Sequence, residues 1–234
     1  MKGKSFDPLQ FILKHRGYAT RPWGLNSNGK AREEIISSWI PEGSRVLDIG
    51  CSKGIMGKKA LRRGCTVTGV EKNKKAAMEA KKSYHRVLLG DIEEKKILEQ
   101  LEPGYQVIIC ADLLEHLAAP EELLLRLRGH FDAQGRLLIS IPNVAHWSIR
   151  RELLAGNFDY QERGIMDKGH LRFFTRSSFL RLLDKTGYRV FASDFIYAQS
   201  PLDGQIQEEE KWKLIRKQRE LFALQFLFNA RPEG

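Results

Sequence analysis

The chain has 234 residues, 42% of them hydrophobic, and its 39 Lys and Arg outnumber 29 Asp and Glu for a formal net charge of +10. That is enough apolar material for one sizeable core and a single domain, with no run of about 18 apolar residues to cross a membrane. Cys51, Cys65 and Cys110 are odd in number and lack metal-ligand spacing, so they read as free thiols and predict a cytoplasmic protein without a zinc site or disulfide framework.

In chain order, MKGKSFDPLQFILKHRG carries too short an apolar stretch, with Asp7 and Pro8 beside it, for a signal peptide or a span. Asn28 is expected to cap a helix whose apolar positions are Ile35, Ile36, Trp39 and Ile40, stopped by Pro41-Glu42-Gly43. Short β-branched runs then alternate with amphipathic segments. The runs 45–49, 66–70, 86–89, 106–110 and 136–141 read as buried strands, and PEELLLRLRGH reads as one of the helices between them. Two aromatic-rich strands, 188–196 and 222–228, flank the charged helical stretch EEEKWKLIRKQRE. Strands alternating with helices demand parallel pairing and right-handed crossovers, hence an α/β doubly wound, Rossmann-like sheet.

The positive charge is concentrated. Residues 53–96 hold 13 Lys and Arg against 5 Asp and Glu, and KKALRRG and KNKKAAMEAKK place theirs at helical spacing. Such runs form a solvated helix face. With no zinc-finger spacing, RNA-binding aromatic motif or basic tail, nucleic acid is not the expected partner.

In a doubly wound sheet ligands sit beyond the carboxyl ends of the strands, so the loop after the first strand is decisive. In VLDIGCSKG the dinucleotide positions are Gly50, Ser52 and Ile55, two of which are not glycine, and no Gly-x4-Gly-Lys-Ser/Thr phosphate loop is present. What remains is Asp48-x-Gly50-x-x-x-Gly54, a carboxylate at a strand end and glycines that let a ligand approach the backbone. Ser52 puts a Cβ and a hydroxyl where a glycine is more usual.

VLDIGCSKG resembles the first motif of class I S-adenosylmethionine-dependent methyltransferases, and VTGVEKN, LLGDIEE and ADLLEHL follow in that family's order over roughly 70 residues. The resemblance implies a seven-stranded sheet with only the last strand antiparallel. It implies S-adenosylmethionine as cofactor, held by Asp48, Gly50, Cys51, Ser52 and Gly54 in the loop, Glu71 on the ribose hydroxyls, Asp91 and Ile92 at the adenine, and Asp112 and Leu113 near the methionine end. Chemically, a carboxylate such as Glu71 suits a diol because it accepts two charge-assisted hydrogen bonds.

Residues 140–188 resemble a bacterial subgroup similar to ubiquinone-biosynthesis O-methyltransferases, often found beside glycosyltransferases. This implies O-methylation of a sugar hydroxyl in a glycan or cell-envelope precursor, with a phenolic small molecule, RNA methylation and a non-catalytic scaffold as the alternatives. Within 31 residues this segment gathers Asn143, His146, Tyr160, Arg172 and Phe173, which are candidate acceptor contacts, together with Trp147, Asp167 and His170. His170 is the first choice for the base that takes the acceptor's proton, since imidazole titrates near neutral pH, and His116 the second. Asp112, Glu115, His116 and His170 do not have the spacing of an established metal motif, so no metal is expected. The expected layout is an N-terminal lid over 1–40, a cofactor-binding core over 41–142, an acceptor cap over 143–175 and C-terminal helices and strands over 176–234. Oligomeric state is not written in these patterns.

Overall fold

A computed structural model describes residues 7, 9–10, 25–26, 28–197 and 207–233. The remainder of the expected N-terminal lid lies outside the described residues. Seven strands form one sheet in the order β3-β2-β1-β4-β5-β7-β6: β1 Arg45–Ile49, β2 Thr66–Glu71, β3 Arg86–Leu89, β4 Tyr105–Ala111, β5 Phe131–Pro142, β6 Tyr188–Tyr197 and β7 Ala223–Pro232. β7 runs antiparallel to both β5 and β6, and the other described pairings are parallel.

Helices cover both faces of the sheet, and the period of two along each strand divides its side chains between them. Leu47, Ile49, Ile108, Leu137 and Ile139 join one core, built against Leu123, Leu124 and Leu127 of α5 (Pro120–Leu127) and Phe179, Leu182 and Leu183 of α7 (Arg176–Lys185). Their neighbours Val46, Val107, Ile109 and Leu138 join the other. That core is built against Ile35 and Ile36 of α1 (Arg32–Ser38), Met56 and Ala60 of α2 (Ile55–Leu61), and Ala77 and Ala80 of α3 (Lys74–Ala80). The short α4 (Lys95–Leu98) follows β3, α6 (Trp147–Leu154) follows β5, and α8 (Glu208–Lys217) and α9 (Arg219–Phe222) lead into β7. Lys53, Lys74, Lys75, Lys81 and Lys82 of the basic stretch are all exposed.

Three expectations are corrected. Asn28 does not cap α1. Asn26 closes that turn instead, its Oδ1 accepting the Asn28 and Lys30 N–H groups at 2.9 Å each, and Gly29 in the turn keeps the helix from starting before Arg32. The first α1 turn is closed by Glu34, which accepts the Ala31 N–H at 2.9 Å. β5 begins five residues before the expected 136, because Phe131 pairs with Tyr105 across an irregular register. The last strand extends past 228 because Asn229 to Pro232 pair with residues 188–192 of the edge strand β6.

Candidate active site

At the carboxyl end of β1 the chain turns through residues with positive φ. Gly50 has φ +68, and a Cβ there would lie 3.0 Å from the Leu113 side chain, so only glycine fits between the β1 and β4 loops. Ser52, where a glycine was the expectation, still adopts φ +47, and its N–H donates to Glu71 Oε2 at 2.9 Å. Gly54 then opens α2. Cys51 is buried with its thiol pushed up by burial, and its N–H donates to the Val70 carbonyl at 3.1 Å.

Asp48 lies beneath this loop. It is 2% exposed and accepts the Tyr84 hydroxyl at 2.5 Å, while the Tyr84 oxygen accepts the Gly57 N–H at 2.9 Å. Burial pushes the Asp48 carboxyl up to about 6, with the Tyr84 hydrogen bond opposing. Sequence reading missed Tyr84. Its ring packs so closely on α2 that a Cβ at Gly57 would sit 2.2 Å from its Cζ.

Glu71 is half-buried at the end of β2 and accepts the Ser52 and Asn73 N–H groups on different oxygens, at 2.9 and 2.7 Å. Each carboxylate oxygen takes more than one hydrogen bond, so both keep capacity for one hydroxyl of a diol. Asp91, after β3, accepts the Glu93 N–H at 3.1 Å and faces Lys72 at 3.5 Å, while Ile92 is buried in the core beneath. Asp112, after β4, is the only described non-glycine residue besides Ser52 with positive φ. Its Oδ1 accepts Ser140 Oγ at 2.5 Å and Gln225 Nε2 at 3.2 Å, and its Oδ2 accepts Arg32 Nη1. Backbone strain of this kind persists only where surrounding contacts enforce it and collects at functional sites. Here Glu71, Asp91 and Asp112 stand with the loop at the carboxyl ends of the strands, a set of acceptors suited to a cation-bearing nucleoside, while Asp48 braces the loop from beneath through Tyr84.

Next to Asp112 opens a cavity of about 720 Å³. Its polar wall includes Arg32, Glu115, His116, Asp167 and His170, and its apolar wall Ile149, Ile165, Met166, Ile196 and Leu224. The 3-10 turn Leu114–His116 and the loop before α7 bring Glu115, His116 and His170 together with their ligand atoms within 4.8 Å of one another. His170 Nδ1 lies 2.9 Å from the Ile165 carbonyl and His116 Nδ1 2.9 Å from that of Gly169. A carbonyl only accepts, so both imidazoles carry a proton on Nδ1, and Nε2 is the acceptor atom of the neutral ring. The rings meet edge to face at 4.7 Å. Burial lowers the His170 pKa, and the adjacent His116 adds to that.

Glu115 is 1% exposed, and among the described residues neither carboxyl oxygen has a hydrogen-bond partner. Burial pushes its pKa up to about 8, with Asp167 adding and Arg32 opposing. The three groups could also hold a divalent cation. Asp112, the fourth residue weighed for such a site, is outside this cluster and turned toward Arg32, Ser140 and Gln225.

The candidate acceptor contacts fall elsewhere. Asn143 is wholly buried, with Nδ2 donating to the Glu220 and Ala223 carbonyls at 2.8 Å each and Oδ1 accepting the Ala145 N–H at 2.9 Å. His146 caps α6 through Ser148, and burial pushes its pKa down to about 3. Arg172 donates to the Ala118 carbonyl. Tyr160 and Phe173 form an aromatic group with Phe158, at centroid distances of 5.8 to 6.2 Å. None of these five lines the cavity. The same segment contributes Ser148, Ile149, Arg151, Gln161, Ile165 and Met166 instead. Arg32, Ser140 and Gln225 had no signal in the sequence, since each acquires its role only by reaching Asp112 across the fold.

A family model described as a methyltransferase domain matches residues 27–193. The ubiquinone biosynthesis O-methyltransferase of Aeromonas salmonicida is 28% identical over 148 residues, 58% of this chain and 62% of that protein. The like-named protein of Pseudomonas entomophila is 31% identical over 48% of this chain and 54% of its own length, so this chain spans less than two thirds of either relative. The Acinetobacter baylyi protein of that name is 25% identical over 80% of this chain and 87% of its own. Among solved structures, a SAM-dependent methyltransferase from Archaeoglobus fulgidus superposes with TM-score 0.62 at 19% identity, covering 86% of this chain and 94% of its own, a likeness of fold.

Proposed function

The chain belongs to the methyltransferase domain family, and from that premise we propose that it transfers the methyl group of S-adenosylmethionine to a hydroxyl oxygen of a small acceptor lodged against Glu115, His116 and His170. The donor, when bound, supplies a methyl group activated on a cationic sulfonium. The residues fitted to hold it are Glu71 for the ribose diol, Asp91 for the adenine side, and the loop Gly50 to Gly54 with Asp112 and Arg32 toward the amino-acid end.

The observation that carries the oxygen-acceptor reading is His170. Its Nδ1–H is fixed on the Ile165 carbonyl, its pKa is lowered by burial, and it borders the cavity. A neutral imidazole takes on Nε2 the proton that a hydroxyl must lose as its oxygen attacks. Burial, which pushes the Glu115 pKa up to about 8, disfavours a competing negative charge beside it. The wall of Ile149, Ile165, Met166, Ile196 and Leu224 gives a flat phenolic acceptor an apolar face to lie on, while Arg151, Gln161 and Arg163 on the same cavity are groups that would pair the hydroxyls of the sugar expected from the sequence, so the acceptor class is decided by the test below. The relatives' names, as O-methyltransferases of ubiquinone biosynthesis, lean toward the phenolic acceptor.

The test is transfer of labelled methyl from S-adenosylmethionine to catechol and to methyl glucoside. Methylated catechol in excess supports the reading. Methyl glucoside as the better acceptor restores the sugar, and transfer to neither at millimolar acceptor removes both.

A second reading follows from the clustering of Glu115, His116 and His170: a divalent cation held there would bind and acidify the acceptor hydroxyl directly. Activity abolished by a chelator and restored by one divalent metal favours this reading. Activity indifferent to the chelator leaves the proton to His170.

A further inference from the structure

The strand-four segment that carries Glu115 and His116 continues into Leu117, Ala118 and Ala119 before α5 begins. This strap lies between two regions with different duties. On one side is the loop after β3, which holds Asp91 and Ile92. On the other is residues 169–172 of the acceptor cap. Glu93 Oε1 accepts both the Ala118 and the Ala119 N–H groups, at 3.0 and 3.1 Å. Arg172 Nη2 donates to the Ala118 carbonyl, the Leu171 and Arg172 N–H groups donate to the Glu115 carbonyl at 2.7 and 3.0 Å, and His116 Nδ1 donates to the Gly169 carbonyl.

The peptide group joining Ala118 to Ala119 is therefore gripped at both ends, its N–H by a carboxylate and its C=O by a guanidinium. Charge-assisted hydrogen bonds are about twice as strong as neutral ones, and the two grips hold this exposed peptide from opposite ends. Glu93 is itself tied to the neighbouring carboxylate, since its N–H donates to Asp91 Oδ1 at 3.1 Å. The chain of contacts thus runs from Asp91 through Glu93, the 118–119 peptide and Arg172 to the loop that presents His170.

We propose that Glu93 and Arg172 are positioning residues that couple the donor's adenine loop to the acceptor cap, so that filling the donor site orders residues 169–173 and the acceptor binds second. The proposal rests on the donor assignment above. Filling the site restrains the Asp91 loop, Glu93 transmits that restraint to the 118–119 peptide, and Arg172 and the Glu115 carbonyl transmit it to the backbone around His170. Coupling is reciprocal, so an acceptor that orders the cap tightens donor binding by the same factor. Neither side chain touches the reacting atoms in this scheme.

The test is hydrogen–deuterium exchange of the full chain with and without S-adenosylhomocysteine, which needs no acceptor. In the wild type the ligand slows exchange in 169–173 by about 5-fold or more, the lower end of ordinary coupling between linked sites, and leaves α7 unchanged. Glu93→Ala binds the ligand but loses the slowing in 169–173, Arg172→Ala does the same from the other end of the peptide, and Glu93→Gln, which keeps an acceptor oxygen, recovers part of it. A merely structural role for either residue would raise exchange equally with and without ligand. Ligand binding to the wild type without any change in 169–173, or full retention of the slowing in both alanine variants, overturns the coupling. Failure of the wild type to bind S-adenosylhomocysteine overturns the donor assignment and the coupling with it.

Discussion

The donor edge and the acceptor segment are built from similar residues and use them in opposite ways. Along the donor edge, Glu71, Asp91 and Asp112 stand at the ends of consecutive parallel strands, held by backbone N–H groups, a lysine or a hydroxyl, with capacity left for a ligand. In the acceptor segment, Asn143 and His146 spend their polar atoms on the chain itself, and the cavity takes its polar lining from other residues of the segment, Arg151, Gln161, Arg163 and His170, beside the apolar Ile149, Ile165 and Met166. A strand end is a fixed place in a doubly wound sheet, whereas a loop-rich cap has many backbone groups to satisfy and draws on its own side chains to do so. A dense cluster of polar residues in such a cap therefore marks self-capping as readily as ligand contact.

The sharpest way to test that contrast is His170, the candidate base among the acceptor-segment residues that border the cavity. His170→Ala should lower turnover about 10²- to 10⁴-fold, the usual contribution of a general base, with S-adenosylhomocysteine affinity nearly unchanged. Because burial lowers its pKa below the ordinary 6.5, the acid limb of the wild-type rate profile should lie below that pH and vanish in the variant. A lost cofactor affinity or lost unfolding cooperativity would make His170 a clasp like its neighbours.

Glu115 tests the same cavity through stability. Between the ordinary 4.5 and about 8 the folded protein keeps a proton on Glu115 that the unfolded chain has released, so stability falls as pH rises through that window. Glu115→Gln should remove this slope, leaving the part below about pH 6 that Asp48 contributes, and should exceed the wild type at pH 8 by roughly 2 to 4 kcal/mol in urea unfolding. Its activity should be largely retained if His170 is the base, and lost if Glu115 is a ligand to a divalent cation. An unchanged slope would mean that Glu115 is ionised and paired, as a bound cation would make it.

Asn143→Ala should cost about 1 to 3 kcal/mol of stability, because it strips hydrogen bonds from two buried carbonyls and an N–H. Donor affinity should not move. A stable variant with a raised acceptor KM would return Asn143 to the binding surface.

The parallel pairing of the strands and the acids at the strand ends were readable because each rests on local periodicity or on a residue within a few positions of a strand. The antiparallel β7 was expected only through the family resemblance. Arg32, Tyr84, Ser140 and Gln225 were not readable, since Arg32 meets Asp112 across 80 positions and Gln225 meets it across 113. Nothing local marks such partners. Ser52 lies between these cases. It puts a Cβ and a hydroxyl where a glycine is more usual, yet the Glu71 carboxylate holds its N–H and the left-handed backbone persists. Ser52→Gly should accordingly shift stability by no more than about 1 kcal/mol, as relief of the left-handed conformation is offset by a freer unfolded chain, with donor affinity retained.

The most direct measurement is calorimetric titration of S-adenosylhomocysteine into the wild type and Glu71→Ala. The wild type should bind, and the variant should bind more weakly by about 2 to 3 kcal/mol, the scale for hydrogen bonds lost to a charged group, which is roughly 30- to 150-fold in Kd. No binding to the wild type, or equal affinity in the two proteins, would contradict a donor site along this edge of the sheet.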